Sequence, residues 1–364
     1  MNTYLKEGLM MKKLNEKEWK PEIIGELFDV SGSVTTKPED IIPNGNTPRV
    51  TCASTQNGLD NCYQNAPTEN GGVLTVDSAT VGTVFYQPFN FIATDHIEKI
   101  QKTDDVFNEN EGLFLQTAIT ASVGTKYQYG YKFSQKRIKR QTVFLPVDDL
   151  GKPDYKYMSE YVYRQRKSML DKYICFAQKQ ISKLQYKEIP TLSKKKWDPF
   201  ILDSIFEIGS GTRLETRNKQ PGNRPFIGAA DNNNGVTGFV SNNNASNDHN
   251  VLGVNYNGNG MCIGFYHPYE CIFSDDVKRF HLKNYEDNVY VLLFFKAIIL
   301  KQKSKFGYLY KFNAARMAKQ RLLVPVTDDG EPDYEYMEQY SKNMMLKKYK
   351  QYLDFLDAKE KNIR

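Results

Sequence analysis

Apolar and polar positions alternate along several short stretches of this chain, the period-two pattern of half-buried strands. Val73-Leu74-x-Val76 and Phe85-Tyr86-Gln87-Pro88 are two of them; Val251-Leu252-x-Val254 and Phe265-Tyr266-His267-Pro268 are two more. Asn/Gly clusters between these stretches supply the turns. Leu113-Phe114-Leu115 with Ala118-Ile119, and Leu292-Leu293-Phe294 with Ala297-Ile298, are too uniformly apolar for edge strands and predict one buried helix each. Residues 126–133 and 305–312 carry aromatics at period two between lysines, which predicts a strand with its rings in a core. Residues 154–187 hold no Gly or Pro, and Leu170, Ile174, Ala177, Ile181 and Leu184 step by four and three along one helical face. Met345, Tyr349, Leu353 and Leu356 continue an equivalent face near the C-terminus. Seams this short leave neither helix stable alone, so the two are expected to pair as an antiparallel coiled coil.

Every one of these features occurs twice. Trp19-Lys20-Pro21 returns as Trp197-Asp198-Pro199, and residues 48–58 return as 225–235. Leu145-Pro146-Val147-Asp148-Asp149-Leu150-Gly151-Lys152-Pro153-Asp154-Tyr155-Lys156-Tyr157-Met158 returns as Val324-Pro325-Val326-Thr327-Asp328-Asp329-Gly330-Glu331-Pro332-Asp333-Tyr334-Glu335-Tyr336-Met337. Each copy reads as a strand end, a tight acidic turn with Gly, then an Asp able to cap a helix that starts Tyr-x-Tyr-Met. The repeat is far longer than the roughly 20–50 residues of solenoids, so it duplicates whole domains. The expected organisation is a lead-in (1–18), a first domain (19–153), a first spacer helix (154–188), a linker (189–196), a second domain (197–332) and a second spacer helix (333–364). The fold class is α/β (α+β), two globular domains with mixed sheets, each followed by a long helix.

Composition adds limits. With 364 residues, 40% of them hydrophobic and 25% charged, the chain can fill two cores. The most apolar run, 291–300, is broken by Lys296 and is about half of a membrane span, so a cytoplasmic protein without a membrane partner is expected. Cys52, Cys62, Cys175, Cys262 and Cys271 form no Cys-x-x-Cys pair, which argues against a zinc site. Catalytic motifs are equally absent. Gly209-Ser210-Gly211 lacks the third glycine of a nucleotide turn, and no Pro-Pro occurs for a methyltransferase tetrapeptide. The four histidines fall at different repeat positions with no nucleophile beside them, and no metal or cofactor is expected on this chain. The net charge of +6 suits a polyanionic partner.

The Trp-x-Pro entries, the basic turn after each aromatic segment (with Arg137 and Arg316) and the duplicated Gly-x-Pro-Asp-Tyr-x-Tyr-Met helix start carry a resemblance. From Trp19 onward the chain resembles the specificity subunits of type I restriction-modification systems, and the helix-start signature also resembles the related recognition subunits of type IIB systems. The helices are short for the type I pattern, so both remain open. The resemblance implies that each globular unit is a target recognition domain reading half of a split site in double-stranded DNA. It also implies that the helices dock DNA methyltransferase subunits and, in some arrangements, a restriction or translocase subunit. Chemistry would then reside in those partners, which would carry S-adenosylmethionine and Mg²⁺, with ATP where a translocase joins.

On that basis the Asn-rich turns of the second domain, Asn232, Asn233 and Asn234 with Asn255, Asn257 and Asn259, are candidates for adenine edges in the major groove. Asn and Gly also simply make turns. The equivalent positions of the first domain are Gln56 and Asn57, then Asp77, Ser78 and Thr80. Arg213 and Arg217, with Lys37 and Arg49 in the first domain, fit phosphates, as do Lys126, Lys132, Lys305 and Lys311 around the aromatic segments. Two rival readings are a two-domain binder of glycans or proteins and a stand-alone nuclease. The first predicts no salt-dependent DNA affinity, the second cutting by the chain alone with Mg²⁺.

Overall fold

The computed structural model describes residues 11–128, 130–258, 260–307 and 309–361. The chain divides into two compact units, Met1–Lys172 and Tyr173–Arg364. No described helix is long and apolar enough to cross a membrane.

In the first unit the elements run β1 (Trp19–Ile23), α1 (Ile24–Leu27), β2 (Asp29–Gly32), β3 (Pro43–Val50), β4 (Leu59–Tyr63), β5 (Val73–Asp77), β6 (Val84–Gln87), β7 (Ile92–Ala93), β8 (Ile97–Gln101), α2 (Glu109–Val123), α3 (Gln135–Arg140), β9 (Thr142–Pro146) and α4 (Tyr155–Lys183), whose last turns belong to the second unit. Strands β2-β8-β5-β6 form an antiparallel sheet, β4-β3-β7 a mixed one with β3 parallel to β7, and β1 pairs with β9. The second unit repeats this order: β10 (Trp197–Ile201), α5 (Leu202–Ile205), β11 (Phe206–Ser210), β12 (Pro221–Ile227), β13 (Val236–Val240), β14 (Val251–Asn255), β15 (Gly264–His267), β16 (Ile272–Phe273), β17 (Val277–Leu282), α6 (Val289–Leu300), α7 (Ala314–Lys319), β18 (Arg321–Pro325) and α8 (Tyr334–Lys361). Its sheets are β11-β17-β14-β15, β13-β12-β16 and the pair β10-β18.

The repeat holds at the level of single contacts. The indole of Trp19 donates to the Leu14 carbonyl at 2.9 Å and stacks on Phe114; that of Trp197 donates to Leu192 at 2.8 Å and stacks on Phe294. Asp154 and Asp333 each accept the amide three residues on, from Tyr157 and Tyr336, and each also meets a lysine of the entry strap: Lys17 at 2.7 Å and Lys195 at 2.6 Å. One carboxylate thus caps the long helix and pins the incoming chain to it. The apolar segments of the sequence are α2 and α6, each opened by an Asn cap, Asn108 and Asn288, and each buried against its unit's main sheet core.

Two expectations need correction. The aromatic segments are not strands. Gln128 bridges to Tyr131, and Gly307 to Tyr310, across tight turns, because residues four apart stack their rings over the turn instead of alternating between two faces. The first long helix spans Tyr155–Lys183, shorter at its C-terminal end than the expected 154–188. Beyond it the side chains of Gln339 and Asn343 on α8 accept the role of helical neighbours, donating to the carbonyls of Gln185 (2.9 Å) and Lys187 (2.7 Å) and holding the strap extended.

Of the expected seam, Ala177, Leu184 and Leu356 are buried, and Leu170, Ile174, Ile181, Met345, Tyr349 and Leu353 are half-buried. Within the second unit Tyr173 meets Tyr352 edge-on and Phe176 meets Tyr349. Rising numbers on α4 face falling numbers on α8, so these turns run antiparallel.

Candidate nucleic-acid interface

The most distinctive backbone in each unit is the turn that leaves the mixed sheet. Gln56, Asn57 and Gly58 have φ of 52°, 58° and 71°; Asn233, Asn234 and Gly235 have 46°, 54° and 73°. Three successive left-handed residues are strained for any side chain but glycine or asparagine, so the fold must hold them. It does so through the middle residue. Asn57 donates its amide to the Tyr86 carbonyl (3.0 Å) and to Gln87 (3.1 Å), and Gln87 returns a bond to the Asn57 carbonyl. In the second unit Asn234 donates to the Tyr269 hydroxyl at 3.0 Å, which lies 3.4 Å from Nδ1 of the buried His267. Burial holds that imidazole neutral, its pKa pushed down to about 4, with the nearby Lys296 ammonium acting in the same direction.

The residues just before this anchor are free to present themselves. Thr55 and Gln56 in one unit and Asn232 and Asn233 in the other are exposed and, among the described residues, bond to nothing through their side chains. Of the expected contacts, Gln56, Asn232 and Asn233 are thus exposed with uncommitted side chains. Asn57 and Asn234 differ in that their amide nitrogens bond to the framework.

Other expected contacts already bond within the fold. Asp77, 3% exposed, accepts the amides of Ala79 and Thr80 and bonds the Thr80 hydroxyl, while Ser78 donates to the His96 carbonyl. These three close a turn at the end of β5. Asn255, 2% exposed, donates to the Ala230 carbonyl at 2.7 Å, bracing the neighbouring loop, and Asn257 donates to Asp276. Asp77, Ser78 and Asn255 are buried and committed to the framework, while Thr80 and Asn257 are half-buried and each already makes one bond within it. Asn259 lies outside the described residues. Arg49 is half-buried and already paired with Asp60 at 3.0 Å. Lys37, Arg213 and Arg217 are exposed, with Glu39, Asp275 and Glu215 beside them. Lys126 and Lys305 are exposed, Lys305 reaching Gln302, whereas Lys132 and Lys311 are half-buried.

Arg137 and Arg316 of the basic turns are not among the expected DNA contacts, yet the fold sets both apart. Phe133 in the core stacks on Tyr127 at 4.4 Å, Tyr127 on Tyr131 at 5.6 Å, and the Arg137 guanidinium covers Tyr131 at 3.8 Å. In the second unit Phe312, Phe306, Tyr310 and Arg316 repeat the column at 4.5, 5.8 and 3.9 Å. Each arginine also donates to a carbonyl, of Lys132 or Lys311, at 2.7 Å. The column runs from core to surface and ends in a fixed cation. The available signal was an Arg at the same place in both repeats.

The family model for the type I restriction modification DNA specificity domain matches this chain twice, over residues 16–170 and 194–353. The chain belongs to that family. The type II restriction enzyme BgcI specificity subunit S.BcgI of Heyndrickxia coagulans is 40% identical over 328 residues, 88% of this chain and 93% of that one. Solved structures resemble it more distantly. A type I restriction-modification S subunit from M. genitalium is 16% identical with a TM-score of 0.49 (97% and 96% of the two chains), and the HsdS subunit of Thermoanaerobacter tengcongensis is 14% identical with a TM-score of 0.31 (93% and 91%). The two matched stretches of this specificity subunit each contain one anchored turn and one aromatic–arginine column, so both features are properties of the repeated domain. A restriction-modification specificity subunit is a DNA-recognition component, and its two domains carry mixed sheets followed by long helices.

Proposed function

We propose that this specificity subunit reads a bipartite duplex, with residues 19–153 on one half-site and 197–332 on the other. The observation that carries this is a common frame with different contents. The two anchored turns share their left-handed backbone, yet one presents Ser54, Thr55 and Gln56 and the other Asp231, Asn232 and Asn233. A shared frame would dock alike on the duplex, and unlike side chains would select unlike bases. Exposed Asn and Gln amides suit the paired donor and acceptor of an adenine edge, each such contact being worth about 1–3 kcal/mol of discrimination.

The long helices then act as the spacer and the dock. At about 1.5 Å per residue the 29-residue α4 is roughly 44 Å long, enough to set two readers about one 34 Å turn of DNA apart. Within the second unit, the antiparallel ring contacts around Tyr173 and Tyr352 support coiled-coil pairing of the end of α4 with α8. In this reading methyltransferase subunits bind the paired helices and bring S-adenosylmethionine and Mg²⁺, and this chain does no chemistry itself. The type II name of the relative at 40% identity favours the type IIB arrangement. Selection of bound sequences from a randomised duplex pool tests it. Replacing Asn232 and Asn233 with alanine should relax one half-site and leave the other intact, whereas a uniform loss across all sequences would assign this turn to the backbone instead.

A further inference from the structure

The geometry points to a phosphodiester-binding site at the end of the aromatic column, a proposal that rests on the DNA-reading function above. In the first unit Tyr127, Tyr131, Ser134, Lys136, Arg137 and Arg140 line an open cavity of about 500 Å³. No carboxylate lines it, and among the described residues no acidic group pairs with Lys136, Arg137 or Arg140. A pocket with three unneutralised cations on one wall is complementary to an anion. Arg137 is held on one side by the Tyr131 ring and at Nη1 by the Lys132 carbonyl, so its orientation is set before any ligand arrives. A guanidinium fixed in this way gives up little side-chain freedom on binding and still offers Nη2 and Nε to a phosphate oxygen. Ser134 adds a hydroxyl at the same wall.

The second unit keeps the arginine column but not all of the charge. Where the first has Lys136 and Lys139, the second has Ala315 and Ala318, while Arg316 and Lys319 stand for Arg137 and Arg140. Both units thus carry the fixed arginine, and the first carries one further cation lining the cavity, Lys136, with Lys139 nearby in sequence. The site contributes position and affinity, not base choice, and it grips the DNA more tightly through the first unit.

The test is the salt dependence of duplex binding by the full chain, read by fluorescence anisotropy on a random-sequence duplex. Arg137→Gln should lower the magnitude of the log K against log[salt] slope by about 1, as the loss of one phosphate contact requires, and Arg316→Gln should do the same. The pair Lys136→Ala and Arg140→Ala leaves the stacked column untouched and should lower the slope as well, which separates charge from any effect on folding. Arg137→Lys should restore the slope with weaker binding. Slopes unchanged in all variants, with wild-type binding intact, would overturn this site and leave the DNA-reading function standing. The site also fails if Arg137→Gln alters the selected bases at constant slope, or if it abolishes binding of inorganic pyrophosphate without touching the slope. Absence of any wild-type duplex binding would remove both proposals together.

Discussion

Asn57→Ala should unseat the left-handed turn without altering the side chains it presents. The substitution removes two hydrogen bonds, to Tyr86 at 3.0 Å and Gln87 at 3.1 Å, each worth a net of about 1 kcal/mol. It also places alanine at φ 58°, where asparagine is tolerated and alanine costs about 1 kcal/mol more. The sum of about 3 kcal/mol corresponds to a fall of roughly 6–12 °C in the melting of the first unit. Gln56→Gly is the counterpart. It relieves the left-handed strain at φ 52° and should leave stability unchanged or raise it by up to about 1 kcal/mol, while removing a presented amide. Thermal melts and sequence selection, run on both variants, should therefore separate. Asn57→Ala loses stability first, and Gln56→Gly loses base preference at the first half-site with stability intact. If Asn57→Ala relaxed base choice with no loss of stability, the division into anchor and reader would be wrong.

Further outcomes follow from the same geometry. Gly235→Ala should destabilise the second unit by about 1–2 kcal/mol in chemical denaturation, since φ is +73° and the new Cβ would sit 3.2 Å from Ile227. Burial pushes the Asp154 carboxyl up, but the Lys17 ammonium and the Tyr157 amide outweigh it and hold it below the usual range. Its contribution is therefore present above the unfolded pKa and lost as pH falls through the folded one; Asp154→Asn should flatten the acid limb of stability against pH. His281, bonded to Asp287 at 2.7 Å and Asp248 at 3.0 Å, has its pKa raised to about 9 by Asp287 first, then, against burial, by Asp248. Its contribution is complete below the unfolded pKa near 6.5 and disappears as pH rises through about 9, so His281→Gln should remove an alkaline loss of stability from the second unit. Leu353→Asp with Leu356→Asp should release methyltransferase subunits in size-exclusion chromatography, and a retained complex would show that the helices are not the dock.

The duplication, the helix starts and the buried helices were legible because each rests on local order: Asp154 and Asp333 cap helices that begin within three residues of them. The stacked turns were not. Tyr127, Tyr131 and Phe133 fall at even spacing in a hairpin as they would in a strand, and only the bridge from Gln128 to Tyr131 tells the two apart. The division among the asparagines was hidden for another reason. Whether an amide is committed depends on partners far along the chain, Tyr86 for Asn57 and Ala230 for Asn255, which composition does not reveal. The end of α4 was likewise set at a distance, by Gln339 and Asn343. Arg137 and Arg316 could have been counted among the expected contacts, since a basic residue repeated in register without a local acidic partner already suggests a surface role.

The most direct measurement is the set of sequences that the wild-type chain, with its methyltransferase partner, enriches from a randomised duplex pool. Two dissimilar half-sites separated by a constant gap of unspecified bases is the predicted result. One contiguous motif, or two identical half-sites, would contradict the reading of a single frame filled in two ways.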